Sequence, residues 1–311
     1  MKIIFFGTGA FGLPALESLK TSAHELVCVV TAPDKPQGRH LKLQGSPVKE
    51  WAEASRVPVL QYPRLNTPEP LAALKALAPD ALVVIAYGAL LPPSLLKLPR
   101  LAALNVHSSL LPFYRGPAPI HWALLNGDAE TGVTVMRMAE KLDTGDIVLQ
   151  KKIRIAPDDD FNSMETRLAA IGGEALIEAL EAIAQKKAGF TPQDENKATY
   201  ARKIIKEDGH LDWRQPAGSI ENRVRALVRW PKAFVFCEAQ RLLVLQARAT
   251  EEKSPSGAAG RILKASAREG LFVAAADRVV EIQTLQAEGK KPLAAKEFLK
   301  GFPLAEGRPL E

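Results

Sequence analysis

The first thirty residues constrain the fold most. Residues 2–6 are a short apolar run, Gly7-Thr8-Gly9-Ala10-Phe11-Gly12 follows, and Leu13, Leu16 and Leu19 then recur at helical spacing. A second apolar run occupies 26–31. A strand that turns through glycines into an amphipathic helix, with another strand behind it, builds a parallel sheet with helices on its faces. Residues 80–87 strengthen this reading: the run is apolar almost throughout, as in a central parallel strand buried on both faces.

The pattern continues. Helices are predicted over 48–56, 70–77 and 121–126, and strands over 57–61, 101–107, 132–138 and 147–155. Asn162 and Glu165 read as a capping box opening a long amphipathic helix through Lys187. Residues 188–206 are polar and irregular. Beyond them come a helix at 219–227, short strands at 233–238, 242–249, 260–265, 271–275 and 279–287, and a short helix at 294–299. The expectation is an α/β chain. A Rossmann-like, mostly parallel sheet flanked by helices fills 1–188, a linker spans 189–207, and a small β-barrel of the OB-like type occupies 208–311.

Gly7-x-Gly9-x-x-Gly12 between strand and helix matches a dinucleotide fingerprint, and Asp34 lies roughly where a ribose-binding acid sits. Asp34, however, falls past the second strand, in the turn Ala32-Pro33-Asp34-Lys35-Pro36. Taken alone the motif suggests an NAD enzyme, but the signal is weak, because the same glycines serve wherever a strand turns tightly into a helix.

Charge separates the two parts. Residues 1–199 carry 21 Lys+Arg and 21 Asp+Glu, whereas 200–311 carry 20 and 14, so the whole net charge of +6 lies in the last third. Within the first part, 33–49 is a long surface loop holding Lys35, Arg39, His40, Lys42 and Lys49 against one Asp. Both features suit a polyanion such as nucleic acid. Two distant cysteines, Cys28 and Cys237, offer neither a disulfide framework nor metal-ligand spacing, so no metal and a reducing, cytoplasmic setting are expected. No run of 18 apolar residues is present, so no membrane span is expected.

Chemistry concentrates in 104–119, L-N-V-H-S-S-L-L-P-F-Y-R-G-P-A-P. Asn105 and His107 stand two apart at the end of a predicted strand and so share one face. Sites in open α/β sheets lie beyond such strand ends. An amide and an imidazole can stabilise charge on an acyl oxygen, and Asp143, in Leu142-Asp143-Thr144-Gly145-Asp146, can orient or charge the imidazole. Asp146 competes with Asp143 for that role. Ser109 has no base at nucleophile spacing, so the nucleophile belongs to the substrate, an amine.

N-V-H-S-S-L-L-P-F-Y-R-G-P-A-P-I together with L-D-T-G-D resembles the signature of the 10-formyltetrahydrofolate-dependent formyltransferases. The opening F-F-G-T-G-A-F-G-L-P-A-L, the loop P-D-K-P-Q-G-R, and the junction Y-A-R-K-I-I-K-E-D-G-H-L-D-W extend the resemblance over nearly the whole chain. It implies that Asn105, His107 and Asp143 are catalytic and that Ser109, Leu110, Leu111 and Pro112 line the folate pocket. It implies 10-formyltetrahydrofolate as co-substrate, with neither metal nor NAD. The basic loop and basic C-terminal part point within the superfamily to transfer of the formyl group onto methionine carried by initiator tRNA. Arg39, with Lys35 and Lys42, would meet the tRNA. No obligate protein partner is evident, so a monomer is expected. Phe113 departs from the pattern, since many relatives carry a basic residue there. The alternative is another amine, such as a sugar nucleotide; an NAD(P)-dependent oxidoreductase is remote.

Overall fold

The computed structural model describes residues 1–37 and 42–311, without the side chains of Gln37 and Lys42. The chain forms two compact units: Met1–Gly116, Glu130–Arg154 and Glu165–Ala201 in the first, and Pro117–Ala129, Ile155–Met164 and Arg202–Glu311 in the second.

The first unit is built on a seven-stranded sheet. Its strands are β1 (Lys2–Gly7), β2 (Glu25–Thr31), β5 (Val59–Gln61), β6 (Ala81–Ile85), β7 (Ala102–His107), β8 (Glu130–Arg137) and β9 (Ile147–Arg154), in the order β5-β2-β1-β6-β7-β8-β9. The five strands from β5 to β7 run parallel, while β8 and β9 pair antiparallel. Every residue of β6 and Ile3–Phe6 of β1 are buried, which is why these segments are apolar without alternation.

Helices α1 (Leu13–Thr21) and α6 (Phe161–Ala184) lie together on one face. A side chain at Gly173 would meet Pro14 and Ser18 of α1, and one at Gly172 would meet Val106 of β7 and Val133 of β8. Glycine in a helix interior lowers stability by ~1 kcal/mol, so this pair marks close approach rather than helical preference. The opposite face holds Ile4, Phe6, Val30, Leu82, Val84 and Ala103 against Leu74 of α3 (Pro68–Ala76) and Leu95 of α4 (Pro93–Leu96).

Three local expectations change. The 33–49 loop contains a hairpin, β3 (Lys35–Gln37) with β4 (Lys42–Gln44), ahead of α2 (Pro47–Ala54). The capping box of α6 is two residues earlier than expected: Ser163 N–H donates to Asp160 Oδ1 at 2.9 Å, and Asp160 N–H to Ser163 Oγ at 3.0 Å. The stretch 189–207, expected as a linker, is hydrogen-bonded within the first unit through Ala201, by Thr191 to Ile147 and by Thr199 and Ala201 to Arg115.

The second unit contains α5 (Pro119–Asn126), α7 (Ala217–Ala226), α8 (Ala295–Gly301) and an antiparallel sheet. Its strands are β10 (Ala233–Cys237), β11 (Gln240–Lys253), β12 (Ile262–Ser266), β13 (Gly270–Ala274) and β14 (Arg278–Ala287), ordered β10-β11-β14-β13-β12, with β15 (Leu293–Ala294) beside β14. Residues 307–311 close the ring. They bond to Gly260 and Ile262 on the β12 side and to Phe236 of β10 on the other. Closure removes the two exposed edges that an open five-stranded sheet would leave. Among the described residues no helix is long and apolar enough to cross a membrane.

Candidate active site

The site begins where β7 ends. Val106 points toward α6, so Asn105 and His107 project from the opposite face, in line with Ala103. Among the described residues the Asn105 amide has no hydrogen-bond partner, and Asn105 remains partly exposed. A polar group at a strand end with no internal partner is available to a ligand.

His107 is only 7% exposed. Its Nε2 lies 2.9 Å from the Tyr114 carbonyl. A carbonyl only accepts, so Nε2 carries the proton. Nδ1 faces Asp143 Oδ2 at 3.8 Å, beyond a direct hydrogen bond but within ion-pair range. Nδ1 can therefore donate only when the ring is charged.

Asp143 is also 7% exposed. Its Oδ2 accepts the Gly116 N–H at 2.8 Å. Its backbone is left-handed, with φ 54°, a conformation that Asp tolerates better than most residues but that still needs support. Gly145 gives the turn its shape: a Cβ there would overlap the Arg137 carbonyl oxygen. Of the two acids, it is Asp143 whose carboxylate lies within ion-pair range of His107. The backbone carbonyl of Asp146 pairs with Arg137 N–H.

Between the two partners runs Tyr114-Arg115-Gly116. The Tyr114 carbonyl holds His107, and the Gly116 N–H holds Asp143. Gly116 sits at φ 111° with the Tyr200 ring and the Ala201 carbonyl where a Cβ would be, so no other residue fits without movement.

The expected folate-lining residues divide. Ser109 is fully buried and its hydroxyl donates to the Phe113 carbonyl at 2.6 Å, so it closes the turn. Leu111 is buried; its N–H donates to Thr134 and its carbonyl accepts from Gln150. Leu110 and Pro112 keep half-buried apolar surface, and Phe113 is exposed. Lys35 is exposed, while Arg39 and the Lys42 side chain lie outside the described residues.

In the glycine-rich turn of 7–12 two of the backbone donors are already used. Thr8 N–H and Gly9 N–H both donate to the Ala86 carbonyl, and the Thr8 hydroxyl donates to the Tyr87 carbonyl. A Cβ at Gly7 would strike the Phe5 ring, so packing explains that glycine. Asp34 is paired with Lys49 and accepts from Gln61, which holds its carboxyl below the usual range and occupies it. Among the described residues no group of three or more His, Cys, Asp or Glu could hold a metal ion.

An amide without a partner, a buried imidazole and a buried carboxylate at a sheet end, with no activated nucleophile beside them among the described residues, suit acyl transfer between substrates. Family comparison agrees. Residues 1–180 match the formyl transferase family and residues 203–303 match its C-terminal domain, so the chain belongs to the formyl transferases. Solved structures of similar fold include a sugar 3N-formyl transferase, WlaRD (TM-score 0.69, 17% identity, 94% of this chain and 99% of that one). Another is HypX from Aquifex aeolicus in complex with tetrahydrofolic acid (TM-score 0.65, 20% identity), of which this chain spans 50% while being covered completely.

Within that class the chain belongs with the methionyl-tRNA formyltransferases. It is 41% identical over 307 residues to the enzyme of that name from Geobacter sulfurreducens, covering 99% of this chain and 96% of the relative. The enzyme of that name from Moorella thermoacetica is 42% identical over 307 residues, covering 99% and 98%.

Proposed function

We propose that the chain transfers the formyl group of 10-formyltetrahydrofolate to the amino group of methionine on initiator tRNA. The observation that carries the reading is the joint geometry of Asn105, His107 and Asp143 at the end of β7. The folate co-substrate supplies an electrophilic formyl carbon. The residues fit such a group: Asn105 holds an unused amide, and Leu110 and Pro112 offer apolar surface on the same loop.

The Asn105 N–H and the charged His107 Nδ1–H donate to the formyl oxygen as negative charge develops there. One such donor contributes roughly 10²–10³ in rate. Asp143 stabilises the charged imidazole and takes the proton that the attacking amine sheds, its Oδ1 having no hydrogen-bond partner among the described residues; the bond from the formyl carbon to the folate nitrogen then breaks, and that proton passes to the departing nitrogen, leaving tetrahydrofolate. Burial of both side chains strengthens these interactions.

The first unit, which runs on through Ala201, acts as the catalytic domain, and the residues from Arg202 onward supply the basic module. The tRNA is met by the basic loop, through Lys35, Arg39 and Lys42, and by the C-terminal positive charge. A small amine needs neither feature. The test is formyl transfer from labelled 10-formyltetrahydrofolate to methionine-charged initiator tRNA and, separately, to a nucleotide-linked amino sugar. Efficient transfer to the tRNA alone is expected; efficient transfer to the sugar alone would overturn the tRNA assignment.

A further inference from the structure

Gln193 is the residue on which the left-handed turn of Asp143 rests. Its Nε2 donates twice, to the Asp143 carbonyl at 2.9 Å and to the Gly145 carbonyl at 2.8 Å, clamping both ends of the turn. Its Oε1 accepts twice from one partner, Arg115 Nε at 3.0 Å and Nη2 at 2.9 Å. The same guanidinium forms a two-pronged pair with Glu195, at 2.9 and 2.7 Å. Arg115 is 9% exposed, so its fork is fixed rather than solvated. Both backbone groups of Arg115 are also paired, its N–H to Thr199 and its carbonyl to Ala201.

The consequence lies in what flanks Arg115. Tyr114 holds His107 and Gly116 holds Asp143. One tripeptide thus contacts both groups of the pair through its backbone, while its central side chain, through Gln193, contacts the Asp143 main chain. We infer that Gln193, locked by Arg115 and Glu195, is a positioning residue for the transfer reaction: it holds Asp143 in the left-handed conformation that aims its carboxylate at His107. The segment that supplies Gln193 and Glu195 follows the long helix α6.

The inference rests on the formyl-transfer reading, and its test separates the two. The neutral isostere Gln193→Met removes both donors without adding charge; Gln193→Glu keeps the acceptors toward Arg115 but cannot donate. Wild type, both variants, Asp143→Asn and the double variant Gln193→Met/Asp143→Asn are compared in single-turnover and steady-state transfer. The expected result is a fall in kcat of roughly 10- to 100-fold for either Gln193 variant, with KM for both substrates changed less than about threefold. In the double variant the loss should not exceed that of Asp143→Asn, because the positioned group is already disabled. A crystal structure of Gln193→Met should show Asp143 out of the left-handed region and its bond to Gly116 N–H broken. Wild-type kcat in the Gln193 variants beside an inactive Asp143→Asn would overturn the inference alone, as would a fully additive double variant or an unmoved turn. An inactive wild type would sink the transfer reading, and the crystal structure would then decide the positioning.

Discussion

In the proposed reaction Asn105 and Asp143 act in different ways, and their substitution should show it. Asn105→Ala removes one donor to the developing negative charge and should lower kcat by ~10²–10³ with the fold intact, as measured by steady-state transfer and circular dichroism. Unchanged kcat would exclude the amide from the reaction. At this scale the sequence is informative where chemistry is local. Asn105 and His107 are legible because a strand puts alternate residues on one face. The choice between Asp143 and Asp146 is not legible, because it depends on the φ of 54° at Asp143 and on the absence of a side chain at Gly145. Gln193 is invisible for a related reason. It meets Asp143 across 50 residues of chain, and nothing near it in sequence marks a donor aimed at two carbonyls.

The elements carry constraints that single residues do not. The turn between β8 and β9 has no space at Gly145, where a Cβ would overlap the Arg137 carbonyl oxygen. Gly145→Ala should destabilise the protein by more than about 3 kcal/mol in urea unfolding, or leave it insoluble; stability within 1 kcal/mol of wild type would contradict the packing. In the second unit, His121 at the start of α5 stacks on Phe161 at the start of α6, ring centroids 4.1 Å apart. Burial, with the Arg229 charge adding to it, pushes His121 down from 6.5 to about 4. Its charged form is thus penalised in the folded state, and the unfolded chain binds the extra proton between these values. Stability attributable to His121 is then constant above 6.5 and falls as pH drops toward 4. Between pH 7 and 5 the loss should reach at most about 2 kcal/mol, and His121→Gln should abolish that part of the slope. An unaltered slope would assign the acid sensitivity elsewhere. Periodicity alone reveals these helices and strands. It does not reveal the hairpin β3–β4, whose strands are short, mostly polar and include Pro36, nor the antiparallel direction of β8, which apolar alternation leaves open.

For the molecule as a whole, charge distribution is the feature most directly tied to the substrate. All the excess of positive over negative residues falls beyond residue 199. Binding of charged initiator tRNA should weaken with salt along a log–log slope of roughly −0.7 to −0.9 per phosphate neutralised. A slope near zero in a filter-binding titration would contradict phosphate recognition. The two-part architecture is legible in the sequence because the polar, irregular stretch 188–206 and the shift in charge beyond residue 199 separate the strand-and-helix run from the short strands that follow; closure of the second sheet by residues 307–311 is not, since that segment has too little pattern to read as a strand. The reaction itself is tested most directly by single-turnover formylation of methionine-charged initiator tRNA with saturating 10-formyltetrahydrofolate, wild type beside Asp143→Asn. Wild type should give formylmethionyl-tRNA, and Asp143→Asn should slow its formation by ~10²–10⁴ while binding both substrates normally. Wild-type rates in the variant, or no formylated product from either protein, would contradict the account.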